Sequence, residues 1–359
     1  MRPDIGPRAI RGNDRAPNMR IMDAMQDIQS LDQDDTDGPM LFGRVLDGKG
    51  GGRPISWEEA RTWQKTRPED VLWVHICRNR PGVAEWLEHD MGLPEPTAEL
   101  LTSNDTRPRA FREGDALVAT LRGINFNPGA EPEDMVSMQL WCDGNRLVTL
   151  RRLKLQTPRD TLAEIDAGHG PLDAGAVITS LVEHMIARMN RSIVDMNDHI
   201  DLLEQDEFDG DAEDMLDKIA RIRRNCLGLK RHMSPQHEAL ERISRDAPAW
   251  FETHDRREIA EAIDRLRRYL DDLDISKESA VVLQDDLRAR AIARSDRTSY
   301  LLTIVAAIFL PLGFVTGLLG INVGGMPGMD DPDAFWIVVG LCTGILIMQL
   351  ALFWRWRWF

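Results

Sequence analysis

The sequence predicts an α/β domain continued by long stalk helices into two C-terminal membrane spans. Three observations carry this. Short apolar runs bounded by turn residues occupy about residues 41–165. Helical periodicity without strand signals follows from about 166. Two uncharged runs, Tyr300 to Gly320 and Ala334 to Trp354, lie near the end, each 21 residues long. A helix rising about 1.5 Å per residue crosses about 30 Å of hydrocarbon in roughly 20 residues, so each run is long enough to span a bilayer.

The elements follow in order. Residues 1–40, rich in Asp, Arg, Pro and Gly, read as a disordered leader without the apolar core of a secretory signal. "LFGRVLDG" and "DVLWVHICR" read as strands, and "SWEEARTWQ" between them as a helix capped by Ser56. "PGVAEWLEHDMGLPEPTAELLTS" is helical in pattern, and "RAFREGDALVATLRGI" returns to strand. In "MVSMQLWCDGNRLVTLRRL", Asp143-Gly144 between apolar runs signals a hairpin.

Residues 166–298 form the helical and stalk region. "LDAGAVITSLVEHMIARMNRSIVDMNDHIDLLEQDEF" keeps helical spacing, and "DAEDMLDKIARIRRNCLGLKRHMSPQHEALERIS" reads as a second helix interrupted near Pro235. From about Asp255 to Gly320 there is no proline before Pro311 and no glycine before Gly313. Ile259, Ile263, Leu266, Leu270 and Leu273 keep a heptad-like seam. If helical throughout, this element is about 65 residues and roughly 100 Å long.

The membrane region divides into a first span over 299–320, a loop over 321–333, a second span over 334–354 and a basic tail over 355–359. Arg288, Arg290, Arg294 and Arg297 precede the first span, Arg355 and Arg357 follow the second, and the loop has acids only. The positive-inside bias places both termini in the cytoplasm. A formal net charge of −15 argues against a nucleic-acid partner and suits a protein that gathers cations, as it also suits plain solubility. Cys77, Cys142, Cys226 and Cys342 are scattered without a C-x-x-C pair, which points to reduced residues rather than disulfides or a thiolate metal site.

Gly317, five residues before Asn322, begins one face of the first span that continues back by fours and threes through Gly313, Leu310, Ala306, Thr303, Ser299 and Asp296. It is polar at the cytoplasmic end and apolar in the middle. Gly313 and Gly317 also form a G-x-x-x-G pair, which elsewhere means helix packing in lipid. Two spans per chain cannot enclose a water path, so transport requires several copies around an axis. A ring of Asn322 carboxamides would offer neutral oxygens to a cation's water shell without holding the ion as carboxylates would. Alternatively Asn322 is a turn residue closing the helix after Gly320 and Ile321, and the chain a membrane-anchored scaffold or sensor.

Gly320-Ile321-Asn322, closing the first of two C-terminal spans after a very long helix and an α/β domain, resembles the CorA family of divalent-cation transporters. That family carries Gly-Met-Asn at this point. Ile321 in the Met position and the following "VGGMPG", Val323 to Gly328, are similar to its ZntB branch, associated with zinc. The resemblance implies a funnel-shaped homopentamer whose first span lines the pore, with Gly320, Ile321 and Asn322 as its outer selectivity element. It also implies a multi-pass protein of the bacterial inner membrane that carries divalent cations, with protons as a conceivable partner and no resident cofactor. Magnesium-transporting members place a Glu shortly after Met-Pro, where this chain has Gly328 and only later Asp330, Asp331 and Asp333. That departure counts against magnesium selectivity without establishing zinc; zinc is the leading reading of the transported substrate, with magnesium, cobalt or nickel as the alternative. The loop's own Met326 and Met329 are poor zinc ligands.

His232, His237 and Asp285 are the metal-binding candidates outside the membrane, and Asp296 the pore acid whose spacing matches the lining face. No Gly-rich phosphate loop, nucleophile elbow or H-E-x-x-H occurs, so the reading is of a transporter and not an enzyme.

Overall fold

The structure, a computed structural model, describes residues 38–131, 133–205, 212–321 and 332–356. The predicted leader, apart from Gly38 to Met40, lies outside these residues. Among the described residues seven strands form one mixed sheet: β1 (Met40–Leu46), β2 (Gly52–Pro54), β3 (Val71–Cys77), β4 (Arg109–Glu113), β5 (Ala116–Gly123), β6 (Val136–Cys142) and β7 (Arg146–Arg151). Their spatial order is β2-β1-β3-β7-β6-β5-β4. Every neighbouring pair is antiparallel except β3 and β7, which run parallel in the middle of the sheet.

The helices are α1 (Trp57–Arg61), α2 (Val83–Glu85) continued by a π turn (Trp86–Asp90), α3 (Glu95–Thr102), α4 (Thr157–Asp166), α5 (Ala174–Gln205), α6 (Ala212–Asp246), α7 (Thr253–Leu319) and α8 (Ala334–Arg355). Ser56 opens α1 with a full capping box: its hydroxyl accepts from Glu59 N at 3.3 Å, and Glu59 returns the bond to Ser56 N at 3.1 Å.

Alternate residues of β3 show how the sheet is buried on both faces. Leu72, Val74 and Ile76 join a cluster with Val83 of α2, Trp86 and Leu87 of the π turn, and Ala98 and Leu101 of α3. Trp73 and His75 point the other way, where Trp73 Nε1 donates to Thr149 Oγ1 at 3.0 Å and His75 Nδ1 lies 2.9 Å from the same hydroxyl. Burial holds the His75 imidazole well below its ordinary pKa, with Arg151 and Arg159 acting in the same direction, so it sits in the core as a neutral ring. A strand buried on both faces reads as a continuous apolar run, which is why "DVLWVHIC" lacks alternation.

Two details depart from the sequence reading. "RAFREGDALVATLRG", for which the sequence reading gave no turn, divides into a hairpin, β4 and β5, turned at Gly114 with φ +61°. Helix α6 runs unbroken through Pro235. Met233, Gln236, Ala239 and Leu240 around that proline are buried, and packing on this scale outweighs the roughly 3 kcal/mol that an interior proline costs.

By compactness the described chain divides into two units, one comprising residues up to 203 with 221–278, the other 204–220 with 279 onward. In the first, Ile259, Leu266 and Leu273 of the heptad seam are buried, and Lys230 of α6 pairs with Asp274 at 2.6 Å. In the second, Leu283 and Leu287 are buried, after which every residue from 288 to 303 is exposed. Helix α7 belongs to both.

Candidate functional site

The site begins with the apolar helix ends. Helices α7 and α8 are long and apolar enough to cross a membrane, and their apolar stretches are left almost wholly uncovered by the rest of the chain. Phe309, Leu310, Phe314 and Trp336 are each about two-thirds exposed or more. So much uncovered apolar surface requires lipid or further protein around it. Trp336 near the start of α8 and Trp354 and Trp356 at its end mark the two interface levels, an aromatic-belt signal that the span assignment did not use.

The two spans meet at Ala307, whose carbonyl accepts from Gln349 Nε2, and on the same side of α7 Ile304 is buried and Ala307, Ile308, Leu312 and Val315 are half-buried. The predicted lining residues Asp296, Ser299, Thr303, Ala306, Leu310, Gly313 and Gly317 are all exposed. At about 100° per residue the two sets point roughly 150° apart, so the graded face looks away from α8. A Cβ added at Gly313 or Gly317 would meet nothing within 4 Å. The G-x-x-x-G pair therefore packs against no helix among the described residues of its own chain. Thr303 Oγ1 is bonded back to the Ser299 carbonyl at 2.8 Å, which shields one backbone acceptor and leaves the hydroxyl's lone pairs on that face.

Pro311 sits within the first span and cannot donate to the carbonyl four residues earlier, Ala307. Gln349 of α8 supplies the missing bond, its Nε2 donating to the Ala307 oxygen at 3.1 Å. One proline and one glutamine, 38 positions apart in sequence, thus form a single packing unit. In lipid an unsatisfied carbonyl has no water to turn to. Gln349→Leu is expected to destabilise the span pair by about 0.6 to 2 kcal/mol. In a Pro311→Ala background, where the backbone bond returns, the same change costs less. A double-mutant cycle on thermal unfolding in detergent checks this coupling.

Helix α7 ends at Leu319, and Gly320 N donates to the Thr316 carbonyl at 3.0 Å. Ile321 is 46% exposed. The described residues leave it uncovered, and the amide that follows lies outside them. Asn322, Met326, Met329, Asp330 and Asp331 lie outside the described residues. Asp333 precedes α8, and its carbonyl accepts from Ile337 N at 3.1 Å.

The metal candidates are not brought together. His232 Nε2 lies 3.1 Å from the Arg122 guanidinium, and its pKa is pushed down to about 4, first by burial and then by Arg122 and Arg231. A cation would be repelled there. His237 points elsewhere, with Glu241 4.0 Å away, and Asp285 is exposed on α7. Among the described residues no three His, Cys, Asp or Glu side chains group as a metal site. The four cysteines are unpaired, and burial raises the Cys226 thiol to about 11 and Cys142 further, so neither is a ready thiolate ligand.

These features define a class: a two-span membrane protein with a soluble α/β domain, whose first span carries a graded polar face unused by its own chain. The chain belongs to the CorA-like Mg2+ transporter family, whose model matches residues 68–355. That is a family of ion transporters, not of enzymes. It is 38% identical over 333 residues to the divalent cation transporter CmaX of Pseudomonas aeruginosa, covering 92% of this chain and all of that one. It is 32% identical over 309 residues to the zinc transport protein ZntB of Pectobacterium carotovorum, covering 86% and 92% respectively. The solved structure of full-length CmaX superposes with a TM-score of 0.79 at 36% identity, covering 91% of this chain and all of that one.

Proposed function

We propose that five copies of this chain assemble around an axis and pass a hydrated divalent cation, most readily zinc, across the bacterial inner membrane, with both termini cytoplasmic. The observation that carries this reading is the face from Asp296 to Gly317. It is polar toward the stalk, small-residued toward the outer end, exposed throughout, and turned away from the only other membrane helix among the described residues.

A face of that composition toward lipid would leave Ser299 and Thr303 poorly solvated; facing an axis, it meets water and copies of itself. The carboxylate of Asp296 would gather cations at the inner end. Ala306 and Leu310 would narrow the passage, and glycines 313 and 317 would let neighbouring helices approach. The Asn322 carboxamides would hold the ion's water shell at the outer mouth. Support for zinc comes from the name of the ZntB relatives and from Gly328 in place of an acid. The magnesium reading, with cobalt and nickel beside it, is favoured by the description of the family model.

Reconstituted vesicles loaded with a metal-sensitive dye decide between them. Zinc uptake that exceeds magnesium uptake is expected, and its response to an imposed pH gradient reports whether protons move with the metal. Magnesium carried with zinc excluded overturns the preference; no metal flux in well-assembled protein leaves the anchored scaffold.

A further inference from the structure

The carboxyl ends of the two parallel strands meet in the middle of the sheet. Arg78 follows β3, and its N–H donates to the Arg151 carbonyl at the end of β7 at 2.9 Å. Arg152 comes next. Antiparallel pairing brings the start of β6 to the same edge, Met138 opposite Arg151, and the end of β5 beside it, Arg122 opposite Ser137. A crevice of about 160 Å³ opens there, lined by Arg78, Arg122 and Arg152 with Asn104, Thr106 and Ser137 among others, and by no Asp or Glu.

Guanidinium groups stay charged in proteins, and burying one is costly unless a carboxylate or equivalent anion meets it. Arg78 is only 5% exposed. Its Nη1 donates to the Ser103 carbonyl and, in the amide orientation that satisfies Gln139, to Gln139 Oε1 at 2.7 Å. Its buried Nε has no hydrogen-bond partner among the described residues. Arg122 donates to the carbonyls of Thr106 at 2.9 Å and Met135 at 3.0 Å and to the Thr106 hydroxyl, and it faces His232, which is neutral at physiological pH.

Every one of these partners is uncharged. Burial first, then Arg152 beside Arg78 and Arg231 beside Arg122, holds both guanidiniums below the usual arginine range. Asp134 is felt at His232, but less than Arg122 and Arg231 are. In a chain with 59 acids against 44 Lys and Arg, this cluster lacks a matching carboxylate in its own lining.

We propose that this crevice binds a phosphate group, free or carried by a small phosphate ester. Guanidinium forks match phosphate oxygens, Asn104, Thr106 and Ser137 add neutral donors, and the carboxyl ends of parallel strands are where open α/β sheets receive ligands. The volume admits one phosphate group and leaves any larger ester outside the crevice. An occupant held by Arg122 also bears on α6, because Arg122 N donates to Gln236 Oε1 at 2.6 Å.

Calorimetric titration of inorganic phosphate into the detergent-solubilised full-length protein, in chloride buffer, is the test. Saturable binding at one site per chain is expected. Arg152→Glu, at an exposed position that can change without repacking, is expected to weaken it at least tenfold. Arg257→Glu, the same charge change at an exposed site on α7, leaves it unaltered. No saturable binding to the unmodified protein, or equal loss in both variants, overturns the proposal. Parallel titrations with glycerol phosphate and ATP identify the source: an ester that binds more tightly, and loses that affinity in Arg152→Glu, is the carrier, and otherwise free phosphate is the ligand.

Discussion

Asn322→Ala is expected to lower metal flux in reconstituted vesicles at least tenfold while the oligomer assembles as before. A hydrogen bond to a charged partner contributes about 1.5 to 3 kcal/mol, and a substitution in a symmetric assembly removes one such acceptor from every copy at once. Each 1.4 kcal/mol is about a factor of ten, so the loss of two or more acceptors from the ion's water shell suffices for the expected drop. Asn322→Asp is expected to slow flux for the opposite reason. A ring of carboxylates holds a divalent ion where carboxamides only guide it. Intact flux in Asn322→Ala, with the oligomer confirmed by cross-linking, removes the pore mouth from this position and returns Asn322 to the role of a turn residue.

Gly144→Ala is expected to destabilise the α/β unit by about 2 to 5 kcal/mol. Two costs add. The backbone at Gly144 has φ +86°, where a side chain costs about 1 to 2 kcal/mol. A Cβ there would also lie 2.6 Å from Cγ of Trp250. That indole cannot step aside freely: its Nε1 donates to the Asp115 carbonyl at 2.7 Å, and its ring meets buried Phe251 edge-on at 5.9 Å. Overpacking of this kind adds about 1 to 3 kcal/mol. Gly129→Ala separates the two costs, since Gly129 has φ +78° with nothing within 4 Å of its Cβ position. Urea unfolding followed by tryptophan fluorescence should rank Gly144→Ala well below Gly129→Ala. Equal losses would show that strain alone acts and that Trp250 gives way.

Gly144 also shows what could be read in advance. Asp143 Oδ1 accepts from Asn145 N at 2.9 Å and Arg146 N at 2.7 Å, a local arrangement that Asp-Gly signals wherever it lies between strands. Trp250, more than a hundred residues away, carried no such signal, yet it makes the glycine's missing side chain matter. The same contrast holds in the membrane. Pro311 announced a freed carbonyl, but nothing in the residues around it named Gln349 as the donor. His232 was a metal-binding candidate by residue type; its neighbour is Arg122, a contact between a helix and the sheet.

Sequence alone determined the features that depend on neighbours along the chain: the two spans, the uninterrupted helix leading into the first, the Ser56 cap, the hairpin turn and the three-and-four spacing of the graded face. These follow from periodicity and backbone preference, which act over one or two turns. Only the tertiary structure decided which side of the first span meets the second, and that β3 lies beside β7, so that Arg78, Arg122 and Arg152 converge without a carboxylate. Strand order and helix facing are chosen by the burial of whole surfaces, and that free energy is shared among residues too distant in sequence for any short pattern to record.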